Sequence, residues 1–138
     1  MGLHQSAGIY GKQYIDSIKD SDGNIYSFNG YGPYTWTKHA RLHIFMRDAY
    51  HRQNQDAKPD KIHYFKKVSL DLEDLKRLEK AINNQFKDYF CNSNDGFYFA
   101  HQYQEESAND YKEQDIEFVK YAALEIKKGN EIVYDSSW

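Results

Sequence analysis

The stretch Asp71-Leu72-Glu73-Asp74-Leu75-Lys76-Arg77-Leu78-Glu79-Lys80-Ala81-Ile82 sets the fold class. Asp71 is the kind of short acceptor side chain that satisfies the free N–H groups of a first helical turn, and Glu73 and Asp74 complement that turn's positive dipole end. Leu72, Leu75, Leu78, Ile82 and Phe86 then recur at three and four residues, so one face is apolar and a helix is predicted over 71–88. Such a helix needs a second layer to cover its stripe. On its N-terminal side, Ile62-His63-Tyr64-Phe65 is a candidate short strand, leading through Val68 and Leu70 into the helix.

On its C-terminal side, Cys91-Asn92-Ser93-Asn94-Asp95-Gly96 is a turn cluster, and Phe97-Tyr98-Phe99-Ala100 predicts a strand over 97–100. A further helix is expected over 109–128, with a stripe of Tyr111, either Asp115 or Ile116, Val119, Ala122, Ala123 and Ile126. Lys127 and Lys128 suit its negative end, and Gly129 stands where a left-handed cap glycine belongs. Glu131-Ile132-Val133-Tyr134 predicts a last strand over 131–134, after which Trp138 is expected to dock on the core.

Residues 8–34 read as an extended, turn-rich segment in which Asp20-Ser21-Asp22-Gly23-Asn24 signals a hairpin. Asn29-Gly30-Tyr31-Gly32-Pro33 reads as a loop closing that segment. A first helix is then expected over 35–52, capped by Thr35, with Trp36, Ala40, His43, Met46 and Tyr50 on its stripe and Leu42, Phe45 and Ala49 widening it. The polar run Gln53 to Asp60 ends it. Three main helices with short, mostly antiparallel strands, and no regular strand-helix alternation, give an α+β fold in one domain spanning 1–138.

Composition narrows the function classes. Among 138 residues there are 13 Tyr, 8 Phe and 2 Trp but one Cys, so a disulfide framework and a thiolate-rich zinc module are excluded. Eighteen Lys plus Arg against 21 Asp plus Glu give a net charge of −3, which argues against bulk electrostatic attraction to nucleic acid or anionic lipid. Met1-Gly2-Leu3-His4-Gln5-Ser6 has neither the basic region nor the apolar run of a secretory signal, and no run of apolar residues is long enough to span a bilayer. The expected location is the cytoplasm, of the host cell if the protein is phage-encoded.

Met1-Gly2-Leu3 at one end and Tyr134-Asp135-Ser136-Ser137-Trp138 at the other resemble a family of small uncharacterised proteins from bacteriophage and prophage genomes. Between the ends, Trp36, Lys38, Ala40 and His43, the acidic start Asp71-Leu72-Glu73-Asp74-Leu75, the strand Gly96-Phe97-Tyr98-Phe99-Ala100 and the approach Gln104-Glu105-Glu106 through Tyr111 resemble that family's pattern in order. Where the family continues Met-Gly-Leu with an acidic residue, a Met and a Tyr, this chain has His4-Gln5-Ser6. The resemblance implies a phage setting rather than a chemistry. A kinase label carried by some relatives does not fit, because the chain has no Gly-x-x-x-x-Gly-Lys-Ser/Thr loop.

Several side chains are candidates for a site. Lys38, Arg41, Arg47 and Arg52 concentrate positive charge near the first predicted helix, interleaved with Tyr31, Tyr34, Trp36 and Tyr50. Arginines that hold phosphate beside rings that stack bases suit a nucleotide or RNA contact, and the same residue types suit a protein interface. His39 and His43, four apart on a helix, can share a metal ion; the plainer reading has His43 half-buried beside Trp36 and His39 in solvent. Cys91 with His63 or His101, and Glu105-Glu106 with Asp110 and Asp115, are sparser catalytic constellations, against which the plainer readings are a buried thiol and a helix-start acidic run.

The expectation is a non-enzymatic phage accessory protein, with no cofactor, no metal and no membrane association. It binds a host protein or ribonucleoprotein complex through the Tyr- and Arg-rich surface, in the manner of an anti-defence, anti-CRISPR-like inhibitor. The alternative is a nucleotide-binding, sequestering or hydrolysing protein with Trp36, Arg41 and Arg47 in its pocket. A small metal-dependent enzyme built on the histidines is the third reading.

Overall fold

The computed structural model describes residues 3–19, 25–54, 67–89 and 104–137; in the strands, side chains are described for 4–10, 32–37, 68–70 and 132–136. The chain runs β1 (His4–Lys19), β2 (Ile25–Thr37), α1 (Ala40–Gln53), β3 (Val68–Leu70), α2 (Leu72–Asn83), a single 3-10 turn (Lys87–Tyr89), α3 (Gln104–Asp110), α4 (Lys112–Lys127) and β4 (Ile132–Ser137). The strands form one antiparallel sheet in the order β2-β1-β4-β3, so the fold is α+β.

Directly paired residues of antiparallel strands share a face. Gln5 pairs with Trp36, and Ala7 pairs with both Tyr34 and Tyr134, which places these residues on one face. The helices pack there. Phe118 of α4 meets Trp36 edge-on at 5.4 Å and Tyr34 at 5.4 Å, and one core joins these rings to Leu42, Phe45, Met46, Leu78 and Ile82. Phe118 is wholly buried, so its truncation to Ala forfeits about 3–5 kcal/mol. Val68 and Leu70 of β3 point into the same core beside Tyr134 and Ile132.

The start of α2 follows from its sequence. The Asp71 carboxylate accepts from the Asp74 amide at 2.8 Å, and Asp74 accepts in return from the Asp71 amide at 3.1 Å, a reciprocal capping box. Asp74 also accepts from Arg52 at 3.3 Å, tying the end of α1 to the start of α2. At the far end of α4, Gly129 adopts φ 95°, and Asn130 N–H reaches back to Glu125 O at 3.0 Å, which closes the helix as its cap glycine predicts.

Three expected boundaries move. The first helix begins at Ala40, not Thr35: Thr35 and Trp36 are strand residues opposite Ser6 and Gln5. Tyr34 and Trp36 satisfy strand alternation, and the coincident spacing of 36, 40 and 43 imitates a helical stripe. Lys38, at φ 58°, turns the chain between strand and helix. The helix expected over 71–88 stops at Asn83, because Gln85 and Phe86 take φ 58° and 55° and fold Phe86 back into the core. The helix expected over 109–128 is two, α3 and α4, broken at Tyr111. The expected strands at 62–65 and 97–100 and the docking of Trp138 lie outside the described residues.

The hairpin is longer than the extended segment read over 8–34, and its ladder runs from His4↔Thr37 to Lys19↔Ile25. Gly30, Tyr31, Gly32 and Pro33, expected as loop, belong to β2. β1 carries an irregularity between Gly8 and Gln13, where five steps on β1 answer two on β2. Gly8 is required there: a Cβ at this position would overlap the carbonyl group of Gly32. No helix among the described residues is long and apolar enough to cross a membrane.

Candidate functional site

A buried polar network lies where β1, β2, α1, α4 and β4 meet. Trp36, on the helix-facing side of β2, donates its indole N–H to Asp115 Oδ1 at 2.8 Å. Asp115 sits in the first turn of α4, where the dipole favours a carboxylate, and its Oδ2 is 2.8 Å from His39 Nε2. His39 is fully buried and Asp115 is 1% exposed. The His39 ring is stacked on Tyr111 at 5.3 Å and meets the edge of Phe86 at 5.3 Å, and its Nδ1 has no hydrogen-bond partner among the described residues.

Gln5 carries the second half. Its Oε1 accepts from the His39 amide at 2.9 Å, and its Nε2 donates to His39 O at 3.0 Å and to the Tyr134 hydroxyl at 3.0 Å. The Tyr134 oxygen is 2.8 Å from His43 Nδ1. Burial, the largest cause, pushes the Tyr134 phenol well above its ordinary value, Asp135 adds to this, and the Gln5 bond opposes it. The phenol is therefore protonated at neutral pH. Having accepted from Gln5, the phenol oxygen also shares a hydrogen bond with His43 Nδ1.

The network is closed to solvent and ties the sheet to α1 and α4. A carboxylate that orients an imidazole resembles half of a catalytic triad, but this pair is sealed, with no hydroxyl or thiol among the described residues hydrogen-bonded to His39. No group of three His, Cys, Asp or Glu side chains among the described residues is placed to share a metal ion. His39 and His43 serve different partners, Asp115 and Tyr134. The expectation of a solvent-exposed His39 and a half-buried His43 is corrected, since both are fully buried.

The basic residues are dispersed. Arg41 donates to Gln85 O at 3.0 Å and to Gln104 Oε1 at 3.3 Å, bridging α1 to the residues before and after the undescribed stretch 90–103. Arg47 lies 3.7 Å from Asp48 and, six residues on, points about 120° away from Arg41 around the helix. Trp36, expected as a stacking platform, is 2% exposed and presents no face to a ligand. Tyr50 is half-buried against the core, and Lys38, at the strand-to-helix turn, offers its carbonyl to Ser107 Oγ at 3.0 Å.

Tyr34 borders a cleft of about 390 Å³ faced by Asp110, Glu113 and Glu117, so its surroundings are acidic, not basic. Burial first and Glu117 second raise its phenol above the ordinary value. Tyr31 lies in β2 opposite Gln13. Glu105, Glu106 and Asp110 are exposed on α3, apart from the buried Asp115, and Cys91, His63 and His101 lie outside the described residues.

The second distinctive feature is the outer hairpin. β4 pairs with β1 only over His4 to Ile9, with one further bond from Tyr10 N–H to Glu131 O at 2.8 Å. From Gln13↔Tyr31 to Lys19↔Ile25 the ladder has two strands alone among the described residues. The N-terminal tyrosines Tyr14, Tyr26 and Tyr31 all fall on this ribbon, and Tyr10 at its root is 52% exposed. Nothing in the local sequence marked where the third strand would stop. The chain matches no family model, no curated protein and no solved structure.

Proposed function

We propose that this protein acts by binding, with the two-stranded ribbon of residues 11–19 and 25–31 as its recognition arm and a host protein or ribonucleoprotein complex as its target. The observation that supports this reading is the ladder that continues past β4 with no third strand paired to it among the described residues. An isolated two-stranded ribbon is marginal in water, and strand edges are surfaces on which a partner adds hydrogen bonds. Tyr14, Tyr26 and Tyr31 give this segment the residue type that makes large contacts at low entropic cost. In the phage setting that the family resemblance implies, the target class is a host defence complex such as an RNA-guided nuclease, and the protein is an inhibitor of it rather than an enzyme.

The test is affinity capture from host lysate with the intact protein and with a Tyr14→Ala, Tyr26→Ala, Tyr31→Ala variant, read by mass spectrometry. A complex enriched by the intact chain and lost with the variant supports the arm. Capture of no protein, with an ultraviolet-absorbing nucleotide bound instead, overturns the reading.

A further inference from the structure

We propose that the outer face of α2 and α4 is the interface of a symmetric homodimer. A groove of about 280 Å³ runs between these helices, floored by Leu72, Leu75, Val119 and Ala123. Of the three large apolar side chains exposed among the described residues, Leu72, 38% exposed, lines the groove, and Leu124, 55% exposed, lies beside it on α4, about 100° round the helix from Ala123 and one turn before the groove-lining Lys127. An exposed apolar knob thus flanks an apolar hole.

Charge favours a second copy of this chain as the occupant. On α2, Glu73 is paired with Lys76 at 3.4 Å, and on α4 Glu125 is paired with Lys128 at 3.4 Å. Glu79 and Lys127, of opposite sign and both lining the groove, form no ion pair among the described residues. A two-fold axis brings residue i onto j and j onto i. It seats each Leu124 in the other copy's groove and sets Glu79 against Lys127 of the partner subunit twice. The four helices then pack as a bundle across the axis.

Sedimentation velocity on the full chain, from low micromolar to near-millimolar concentration, tests this. The expected result is reversible dimerisation. Leu124→Glu, at a position exposed in the monomer, is expected to weaken it about a hundredfold or more while leaving the circular dichroism spectrum unchanged, because two apolar contacts are lost per dimer. Glu79→Lys and Lys127→Glu are each expected to weaken it about two- to tenfold, and the double reversal to restore it. A monomer at every concentration, a dimer indifferent to Leu124→Glu, or a double reversal no tighter than either single variant overturns the proposal.

Discussion

The same two strands make the root of the hairpin and its outer ribbon, yet the two regions are built on different grounds. At the root, β1 is flanked on both sides, Gln5, Ser6 and Ala7 are buried, and Gln5, Trp36 and Tyr134 are bonded into the helices. In the ribbon the backbone ladder resumes in a shifted register beyond the irregularity at Gly8–Gln13, but only one side of each strand is hydrogen-bonded within the described structure. The difference separates two roles of a β-ladder. Backbone hydrogen bonds fix register, with a modest net contribution, whereas burial and satisfied polar groups supply most of the stability.

The sharpest way to break the contrast is at Asp115. Asp115→Ala leaves the Trp36 indole and the His39 ring without their shared acceptor in a sealed site, and a loss of about 3–5 kcal/mol in chemical denaturation is expected. Gly8→Ala, where the hairpin root leaves no room for a Cβ beside Gly32, is expected to cost about 1–3 kcal/mol in the same measurement.

Tyr134→Phe removes the hydroxyl between Gln5 and His43, and about 1–2 kcal/mol is expected to be lost at neutral pH. The same phenol gives the pH dependence a sign. Its folded value lies above the unfolded value of 10.0, so its contribution is complete below pH 10 and is lost as pH rises from there through the folded value. Alkaline melts should therefore fall more steeply for the native chain than for Tyr134→Phe.

The triple ribbon variant Tyr14→Ala, Tyr26→Ala, Tyr31→Ala is expected to move stability least, by about 0.5 kcal/mol or less per site, while abolishing capture of the target. Native-state hydrogen exchange compares the regions directly: amides in 13–19 and 25–31 should exchange ahead of the hydrogen-bonded amides in 4–9. Equal protection in the free protein would erase the distinction.

What was legible in the sequence was local. Asp71 and Asp74 lie three residues apart and cap one another, and Gly129 ends α4, so both signals act within a turn of chain. The hairpin was legible from Asp20 to Asn24 for the same reason, although the turn itself lies outside the described residues. Trp36 was misplaced because spacing alone does not distinguish a helix stripe from a strand residue followed by a helix.

The network was hidden by separation. His39 and Asp115 are 76 residues apart, and Gln5 and Tyr134 are 129 apart. One signal was present nonetheless. Asp115 falls in phase with Tyr111, Phe118, Val119 and Ala122 on the buried stripe of α4, and a carboxylate there has to find donors. Its partners became identifiable only once β2 and α1 were brought beside it.

The Tyr111 hydroxyl has a further consequence for how the protein behaves when crowded. On the outer edge of β2 it accepts from Thr37 N–H at 3.0 Å and lies 3.4 Å from Thr37 O, while Gln114 donates to Thr35 O at 2.6 Å. Tyr111 at the α3–α4 break and Gln114 in the first turn of α4 thus occupy backbone groups that an unprotected strand offers to its neighbours, and Pro33 has no N–H to offer. This end of β2 is therefore closed to edge-to-edge pairing with another chain.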